Sequence, residues 1–201
     1  MKVICIGRNY AEHAKEMKSD VPTEPVFFFK PDTSVLKEED FYYPSFTKDL
    51  HHEIELVLKI SKVGKSIEEQ FAHKYYDEIG LGIDFTARDI QAKCKEKSLP
   101  WEKAKAFDNA APIGKFVKKE SMDLNNIHFE LKVNGQPRQI GSSKDLIFSF
   151  DKIIAYVSQF VTLKQGDLIY TGTPEGVASV KVGDKLEGFV NGESFLKVNI
   201  K

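Results

Sequence analysis

Residues 50–60, LHHEIELVLKI, constrain the fold most strongly, because they combine a strand pattern with paired acids. Apolar side chains recur at alternate positions from Leu50 to Ile60, which is typical of a β-strand. The same alternation places Glu53 and Glu55 on one face, roughly 7 Å apart. Like charges in this arrangement destabilise a sheet unless a cation offsets them. The segment therefore predicts either a solvated polar face, the commoner arrangement for an isolated Glu-x-Glu pair, or a site that holds a cation.

The composition excludes several functional classes. With 41% hydrophobic and 29% charged residues among 201, the chain is typical of a globular protein with one sizeable core. The 29 Lys and Arg residues nearly balance the 30 Asp and Glu residues, which gives no support for a nucleic-acid or anionic-membrane partner. No apolar run reaches the roughly 20 residues that a membrane-spanning helix needs, and MKVICIGRNY does not resemble a signal peptide. Cys5 and Cys94 form no metal-type pair, so we expect free thiols and a cytoplasmic location.

The pattern of apolar residues predicts a strand-rich α+β protein without regular βαβ alternation. We expect one domain, residues 1–201, whose first 30 residues include a helix that could act as a lid. Asn134-Gly135 is a hairpin signal, and Thr86 with Asp89 resembles a helix-capping pair. The main predicted elements are strands at 2–7, 26–30 and 50–60, helices at 9–18, 66–78 and 149–160, a strand, turn and helix over 79–97, and β-structure through most of the C-terminal third.

A third acid, Asp84, ends the apolar stretch IGLGID at a turn, where acids are well placed for sites. Three carboxylates without a cysteine suit a hard divalent ion such as Mg²⁺ or Mn²⁺. Spacing along the chain does not bring Asp84 to Glu53 and Glu55, so the solvated face and the metal site both remain open at this point.

His13 and Glu16 form a second candidate cluster. At positions i and i+3 they share a helix face, so Glu16 can hold one ring nitrogen of His13 and leave the other basic. Such a dyad could activate a water molecule. A surface histidine in a charged helix is the commoner alternative.

Two further segments could contribute to a site. Lys105 lies in WEKAKAFD, where apolar and aromatic neighbours could hold it near a cavity, although most such lysines are exposed. The segment TGTPEGV lacks the Gly-Lys-Ser/Thr of a phosphate-binding loop. It could still offer Thr173 and backbone N–H groups to an anion, with a plain β-turn as the alternative.

Taken together, these motifs resemble the fumarylacetoacetate hydrolase family, and in particular its short acylpyruvase branch. The resemblance covers nearly the whole chain, because five segments match in order. They are GRNYAEHAKEM, HHEIEL, DFTARDIQ, LPWEKAKAFDNAAPIG and GDLIYTGTPEGV.

The resemblance implies a fold of mixed β-sheets rolled around a central core, of the fumarylacetoacetase C-terminal-domain type, assembled as a homodimer. It also implies a role for each matching residue. The implied metal ligands are Glu53, Glu55 and Asp84; the catalytic residues are His13, Glu16 and Lys105; and the substrate-binding residues are Arg88, Gln91 and Thr173.

Two departures from the family pattern narrow the implied substrate. The long fumarylacetoacetases carry a further acidic ligand seven residues before the histidine, where this chain has Ile6, and they add a large N-terminal domain. This argues against fumarylacetoacetate as the substrate.

The resemblance predicts a hydrolase that cleaves acylpyruvate-type 2,4-dioxo acids into pyruvate and a carboxylic acid. In that reaction His13, oriented by Glu16, would activate the water, while Lys105 would stabilise the developing oxyanion. The alternatives are an oxaloacetate decarboxylase and a 2-hydroxyhepta-2,4-diene-1,7-dioate isomerase that use the same site. A non-catalytic, metal-dependent binder of dicarboxylates would need the three acids but not the dyad.

Overall fold

Alternating apolar side chains form fifteen strands within residues 1–16 and 20–201, which are the residues that the computed structural model describes. The strands are β1 (Val3–Gly7), β2 (Val26–Lys30), β3 (Val35–Leu36), β4 (Asp40–Phe41), β5 (Leu50–His52), β6 (Ile54–Ile60), β7 (Tyr76–Ile83), β8 (Thr86–Ala87), β9 (Ala111–Lys118), β10 (His128–Val133), β11 (Gln136–Ser142), β12 (Leu168–Tyr170), β13 (Ala178–Ser179), β14 (Lys185–Val190) and β15 (Glu193–Ile200). Strands thus outweigh helices, as the sequence predicts.

The helices are short. The α-helices are α1 (Ala11–Glu16), α2 (Glu69–Ala72), α3 (Arg88–Glu96), α4 (Glu102–Lys105) and α5 (Phe150–Phe160), and single 3₁₀ turns cover Asp32–Ser34, Lys119–Ser121 and Ser143–Asp145. No α-helix in this described part of the chain combines the length and the apolar character needed to cross a bilayer. The predicted end of the first helix at Lys18 lies outside the described residues, so its lid role stays a prediction.

The strands form three sheets with mixed strand directions. The seven-stranded sheet has the order β2-β1-β12-β6-β7-β9-β3, the five-stranded sheet β11-β10-β14-β15-β4, and the three-stranded sheet β13-β5-β8. The pairs β1–β12, β3–β9 and β4–β15 are parallel, whereas the other pairs are antiparallel. The predicted fold class, a strand-rich α+β protein with mixed sheets of the fumarylacetoacetase type, is confirmed.

Residues 50–60 are not one continuous strand, contrary to the sequence prediction. Strand β5 pairs with β8 and β13 in the small sheet, whereas β6 pairs with β7 and β12 in the large sheet. The chain changes sheets at Glu53, which belongs to neither strand. Both strands keep the alternation, so the pattern does not reveal the change.

Two further local predictions are wrong, and two are confirmed. The helix predicted for residues 66–78 shrinks to α2, since the residues from Tyr76 onward enter β7 at the centre of the large sheet. The proposed Thr86–Asp89 capping pair does not form, because Ala87 is the N-cap residue of α3. The hairpin turn at Asn134-Gly135 joins β10 to β11 with positive φ at both residues, and the helix predicted for residues 149–160 is present as α5.

A large apolar cluster fills the space between the sheets. It includes Leu56 and Leu81 from the large sheet, Leu131 and Leu186 from the five-stranded sheet, and one face of α5. Strands β6 and β7 lie inside the large sheet, with a paired strand on each side. The ends of these two strands are therefore held rigidly, and so are the acids located there.

Candidate active site

The structure brings Glu53, Glu55 and Asp84 together. Their carboxylate oxygens lie within 4.8 Å of one another, and all three residues are at least 95% buried. Glu53 occupies the change of sheet, Glu55 lies in β6, and Asp84 directly follows β7. The backbone N–H of Asp84 donates to the carbonyl oxygen of Glu53 at 2.8 Å, which connects the two chain segments. A buried cluster of this kind rules out the solvated polar face.

Two predicted residues place positive charge against these acids. Lys105 Nζ lies 2.8 Å from Glu53 Oε2 and 2.7 Å from Asp84 Oδ2, and Arg88 Nη2 lies 2.5 Å from Glu53 Oε1. Burial alone would raise the pKa of Glu53, but Lys105 and Arg88 hold it well below its usual range. Burial would lower the pKa of Lys105, but Asp84 and Glu53 more than offset this and raise it. Lys105 is therefore a cation at neutral pH.

A third cation, Lys30, was missed by the sequence reasoning. Its side chain is fully buried, with Nζ 2.7 Å from Asp84 Oδ1. The ammonium also donates to the carbonyl oxygens of Phe85, Lys105 and Ala110, at 3.2, 2.5 and 3.0 Å. The available signal was a lysine at the end of the aromatic strand VFFFK, since a buried lysine requires a partner.

Glu55 is in a different electrostatic environment from Glu53. Within residues 1–16 and 20–201, no Lys, Arg or His nitrogen lies within ion-pair distance of its carboxylate. Its Oε2 accepts a hydrogen bond from the Gly172 N–H at 2.7 Å. Burial, followed by the charges of Asp84 and Glu53, raises its pKa well above the usual range. A buried carboxylate that faces two others and lacks a cation fits a hard divalent ion, so the donor set matches Mg²⁺ or Mn²⁺.

The predicted dyad is formed at the mouth of the same site. His13 Nδ1 lies 3.1 Å from Glu16 Oε2, and His13 is buried. The other carboxylate oxygen of Glu16 accepts a hydrogen bond from the backbone N–H of Gly176, also at 3.1 Å. Because Glu16 accepts a hydrogen bond from the Nδ1–H, Nε2 of His13 is left as the basic nitrogen.

Asn9 fixes the start of the segment that carries the dyad. Its amide Nδ2 donates to the carbonyl oxygens of Phe148 and Thr171, at 3.1 and 2.8 Å, and its Oδ1 accepts from the Phe148 N–H at 2.7 Å. Gly172 lies against it with φ +107, and a Cβ there would come within 2.6 Å of the Asn9 Cβ. Asn9 therefore ties α1 to the TGTPEGV segment.

Replacing Asn9 with alanine is expected to lower the free energy of unfolding by about 1–3 kcal/mol, because three buried backbone groups lose their partner. Urea unfolding monitored by circular dichroism measures this. The matched control Asn125→Ala, at an exposed position, should change stability by less than about 0.5 kcal/mol. Equal stability of the two variants would contradict the anchoring role.

Thr173 and Gln91 are also at the site, and both side chains already make hydrogen bonds within the protein. The Thr173 hydroxyl donates to the carbonyl oxygen of Ile54 and accepts from Gln139 Nε2, both at 2.8 Å. It therefore has no proton to give to a substrate oxygen in this arrangement. Gln91 Oε1 accepts from Arg88 Nη1 at 2.7 Å, which leaves the Gln91 amide N–H groups as donors.

Eight of the nine predicted site residues line one cavity of roughly 310 Å³, and Glu16 stands behind His13 as the ninth. Sequence reasoning missed four of the lining residues as parts of the cavity wall, namely Gly7, Arg8, Lys95 and Trp101. Ile6 also lines the cavity, at the position where the long enzymes are expected to carry an acid. A larger cavity of roughly 580 Å³ lies elsewhere and contains none of the predicted site residues.

Rolled mixed sheets carry a buried three-carboxylate cluster, whose donor set suits a divalent ion, beside a histidine–glutamate pair. The profile of the family described as fumarylacetoacetate (FAA) hydrolase C-terminal matches residues 2–200. The chain belongs to this family.

Comparisons with individual proteins agree with this assignment. The mouse (Mus musculus) protein "Oxaloacetate tautomerase FAHD1, mitochondrial" is 44% identical over 99% of this chain and 91% of its own length. Escherichia coli "Oxaloacetate tautomerase YcgM" is 42% identical over 96% of this chain and 90% of its own length. The crystal structure of fumarylpyruvate hydrolase from Pseudomonas aeruginosa in complex with Mn²⁺ and pyruvate is 39% identical, with a TM-score of 0.94 over 100% of this chain and 89% of that chain.

Proposed function

We propose that this protein catalyses the keto–enol tautomerisation of oxaloacetate at the cavity formed by the dyad and the three carboxylates. The observation that carries this proposal is the presence of one free imidazole nitrogen on the same cavity as a buried metal-type carboxylate cluster. Whole-length similarity to two proteins named oxaloacetate tautomerases favours this substrate over an acylpyruvate. The hydrolase predicted from the sequence therefore becomes the second candidate.

The metal in this proposal is Mg²⁺ or Mn²⁺ held by Glu53, Glu55 and Asp84. When bound there, it supplies Lewis-acid polarisation of the substrate carbonyl. The Mn²⁺ in the similar Pseudomonas hydrolase supports this choice of ion class. Lys30, Lys105 and Arg88 pair with Glu53 and Asp84, so the side chains of these two acids are already held in place.

The residues around the acids would position the substrate and move one proton. Arg88 and Gln91, hydrogen-bonded to each other, present donors to the 1-carboxylate and the 2-oxo group. His13 takes a proton from C3, and Glu16 stabilises the resulting imidazolium. Lys105 places its charge beside the oxygen that gains electron density. Transfer of this proton from His13 to that oxygen completes the tautomerisation, and no bond between carbon atoms is broken.

The other activities differ from tautomerisation in which bond breaks. Loss of CO₂ from oxaloacetate cleaves the C3–C4 bond, whereas acylpyruvate hydrolysis adds water and cleaves the bond to C3. The dyad could serve hydrolysis by activating water, and the similar fumarylpyruvate hydrolase supports keeping that candidate. A dicarboxylate binder would use only the acids and their paired cations.

The deciding experiment mixes enol-oxaloacetate with the protein and follows the loss of enol absorbance, with Mg²⁺ and then with excess EDTA. We expect metal-dependent acceleration without release of pyruvate or CO₂. Release of both products would favour the decarboxylase, and cleavage of acetylpyruvate into pyruvate and acetate would favour the hydrolase. If the purified protein with Mg²⁺ is inactive on both compounds, the tautomerase proposal is wrong.

The assembly state and the compartment belong to the same proposal. We propose that residues 1–201 form one catalytic domain, that it assembles as a homodimer, and that it works in the cytoplasm. Light scattering after size exclusion should then give about twice the chain mass of 22.8 kDa. A monomer mass across micromolar concentrations would contradict the dimer, and cell fractionation tests the compartment.

A further inference from the structure

Arg8 and Lys95 are two cations on the cavity wall that the proposed mechanism does not use. Lys95 lies on α3 seven residues after Arg88 and four after Gln91, so all three share one helix face. Arg8 directly follows β1. The strand end and the helix thus present positive side chains to the same cavity as the three acids.

Among the described residues these two cations have no carboxylate partner, in contrast to the other cations of the site. Arg88, Lys105 and Lys30 each contact Glu53 or Asp84, as described above. In the described part of the chain, no carboxylate lies within 4.0 Å of the Arg8 or Lys95 nitrogens. Their positive charge is therefore available to a ligand rather than to the protein.

The backbone of Arg8 is held in an unusual conformation. Its φ of 59° lies in the left-handed region, which a non-glycine residue with a long side chain rarely adopts. Such outliers persist when the surrounding structure imposes them, and they cluster at ligand sites. Asn9, the next residue, is anchored by three side-chain hydrogen bonds. This anchor constrains the backbone of Arg8 on its C-terminal side.

The surroundings of Lys95 also favour an anion. Its Nζ lies 5.6 Å from the centre of the Trp101 ring, which positions the ammonium beside the cavity wall. Partial burial lowers the pKa of Lys95, and the charges of Arg88 and Arg8 lower it further. A bound carboxylate would relieve this repulsion among neighbouring cations.

Charge balance favours a ligand that carries more than one negative group. Three acids face three contacting cations, so a divalent metal would leave an excess of two positive charges, and Arg8 with Lys95 adds two more. A monoanion would leave most of this charge unmatched in a partly buried cavity. A dianion with carboxylates at both ends would match it better.

We infer that Arg8 and Lys95 bind the distal carboxylate of a short dianionic 2-oxo acid and thereby select such substrates over acylpyruvates with an uncharged acyl end. This inference rests on the proposed function, because it assumes that the proximal carboxylate and the oxo group face the three acids. Arg8 and Lys95 are specificity-determining residues in this arrangement, and the proton transfer belongs to His13.

The test compares the binding of oxaloacetate with that of oxalate, which lacks a distal carboxylate, in the presence of Mg²⁺. In the variants Arg8→Gln and Lys95→Gln, the dissociation constant for oxaloacetate should rise about 10- to 100-fold, as expected for the loss of a charge-assisted hydrogen bond. The constant for oxalate should change less than about twofold. In turnover assays the variants should raise KM with little change in kcat, because the lost contact is the same in ground and transition states.

Two controls separate charge recognition from structural damage. Arg8→Lys keeps the charge and should recover most of the oxaloacetate affinity, whereas purely conformational damage would not be rescued. Lys93→Gln, an exposed position on α3 that does not line the cavity, should bind both ligands as the parent protein does.

The outcomes distinguish this inference from the proposed function. Equal weakening of oxalate and oxaloacetate binding, or no weakening of either, would overturn the inference while leaving tautomerisation untouched. Arg8-dependent binding of oxaloacetate in a protein that shows no tautomerase activity would support the inference and overturn the proposed function.

Discussion

Replacing His13 with alanine is expected to lower kcat for oxaloacetate tautomerisation by about 10²- to 10⁴-fold, the usual contribution of a positioned general base. The affinity for oxalate in the presence of Mg²⁺ should change by less than a few fold, since His13 contacts Glu16 rather than any of the three acids. Stopped-flow measurement of enol loss gives kcat, and calorimetry gives the oxalate affinity. The separation of the two effects identifies an enzyme rather than a binder.

Two further variants on the same helix sharpen this prediction. Glu16→Gln should retain the geometry but weaken the support of the imidazolium, with a smaller fall in kcat of about 10- to 100-fold. Glu12→Gln is the matched control, because Glu12 is exposed and pairs with Lys15 on the protein surface. Its activity should equal that of the parent. Full activity of His13→Ala would remove the dyad from the mechanism.

Replacing Lys30 with methionine is expected to lower the free energy of unfolding by about 3–5 kcal/mol, the range for breaking a buried ion pair by removing one partner. Methionine has a similar length but no donor, so Asp84 loses one of its two buried cationic partners and keeps Lys105. The carbonyl oxygens of Phe85, Lys105 and Ala110 lose a donor as well. Urea unfolding of the parent and the variant measures the difference.

Lys59→Met is the matched control for this experiment. Lys59 pairs with Glu78 at 2.7 Å, but its side chain is 41% exposed, so the pair should contribute no more than about 1 kcal/mol. A similar loss of stability in both variants would show that Lys30 is not specially important. A loss below about 1 kcal/mol for Lys30→Met would contradict the ion-pair account of the acid cluster.

Local sequence patterns correctly predicted the elements that are stabilised by residues next to them in the sequence. The turn at Asn134-Gly135 requires positive φ at both positions, which Asn and Gly adopt readily. The side chain of Ser149 caps α5. The helix predicted for residues 66–78 failed because the central position of β7 in the large sheet outweighs the helical propensity of its first residues. Tertiary pairing, which is not local, decided that boundary.

The sequence by itself determined which residues could form the site. Paired acids on one face, a His–Glu pair at helical spacing and five motifs in family order pointed to the nine residues that the structure gathers at one cavity. Each of these signals is carried by a short segment. The order of the five motifs along nearly the whole chain made the match specific.

The tertiary structure alone decided how these residues are charged and connected. Lys30 reaches Asp84 from β2, Gly176 holds Glu16 across 160 positions of sequence, and the chain changes sheets at Glu53. Arg8 and Lys95 likewise reach one cavity from separate elements. The electrostatic state of a buried group depends on burial and on distances to groups far along the chain, and a one-dimensional pattern encodes neither.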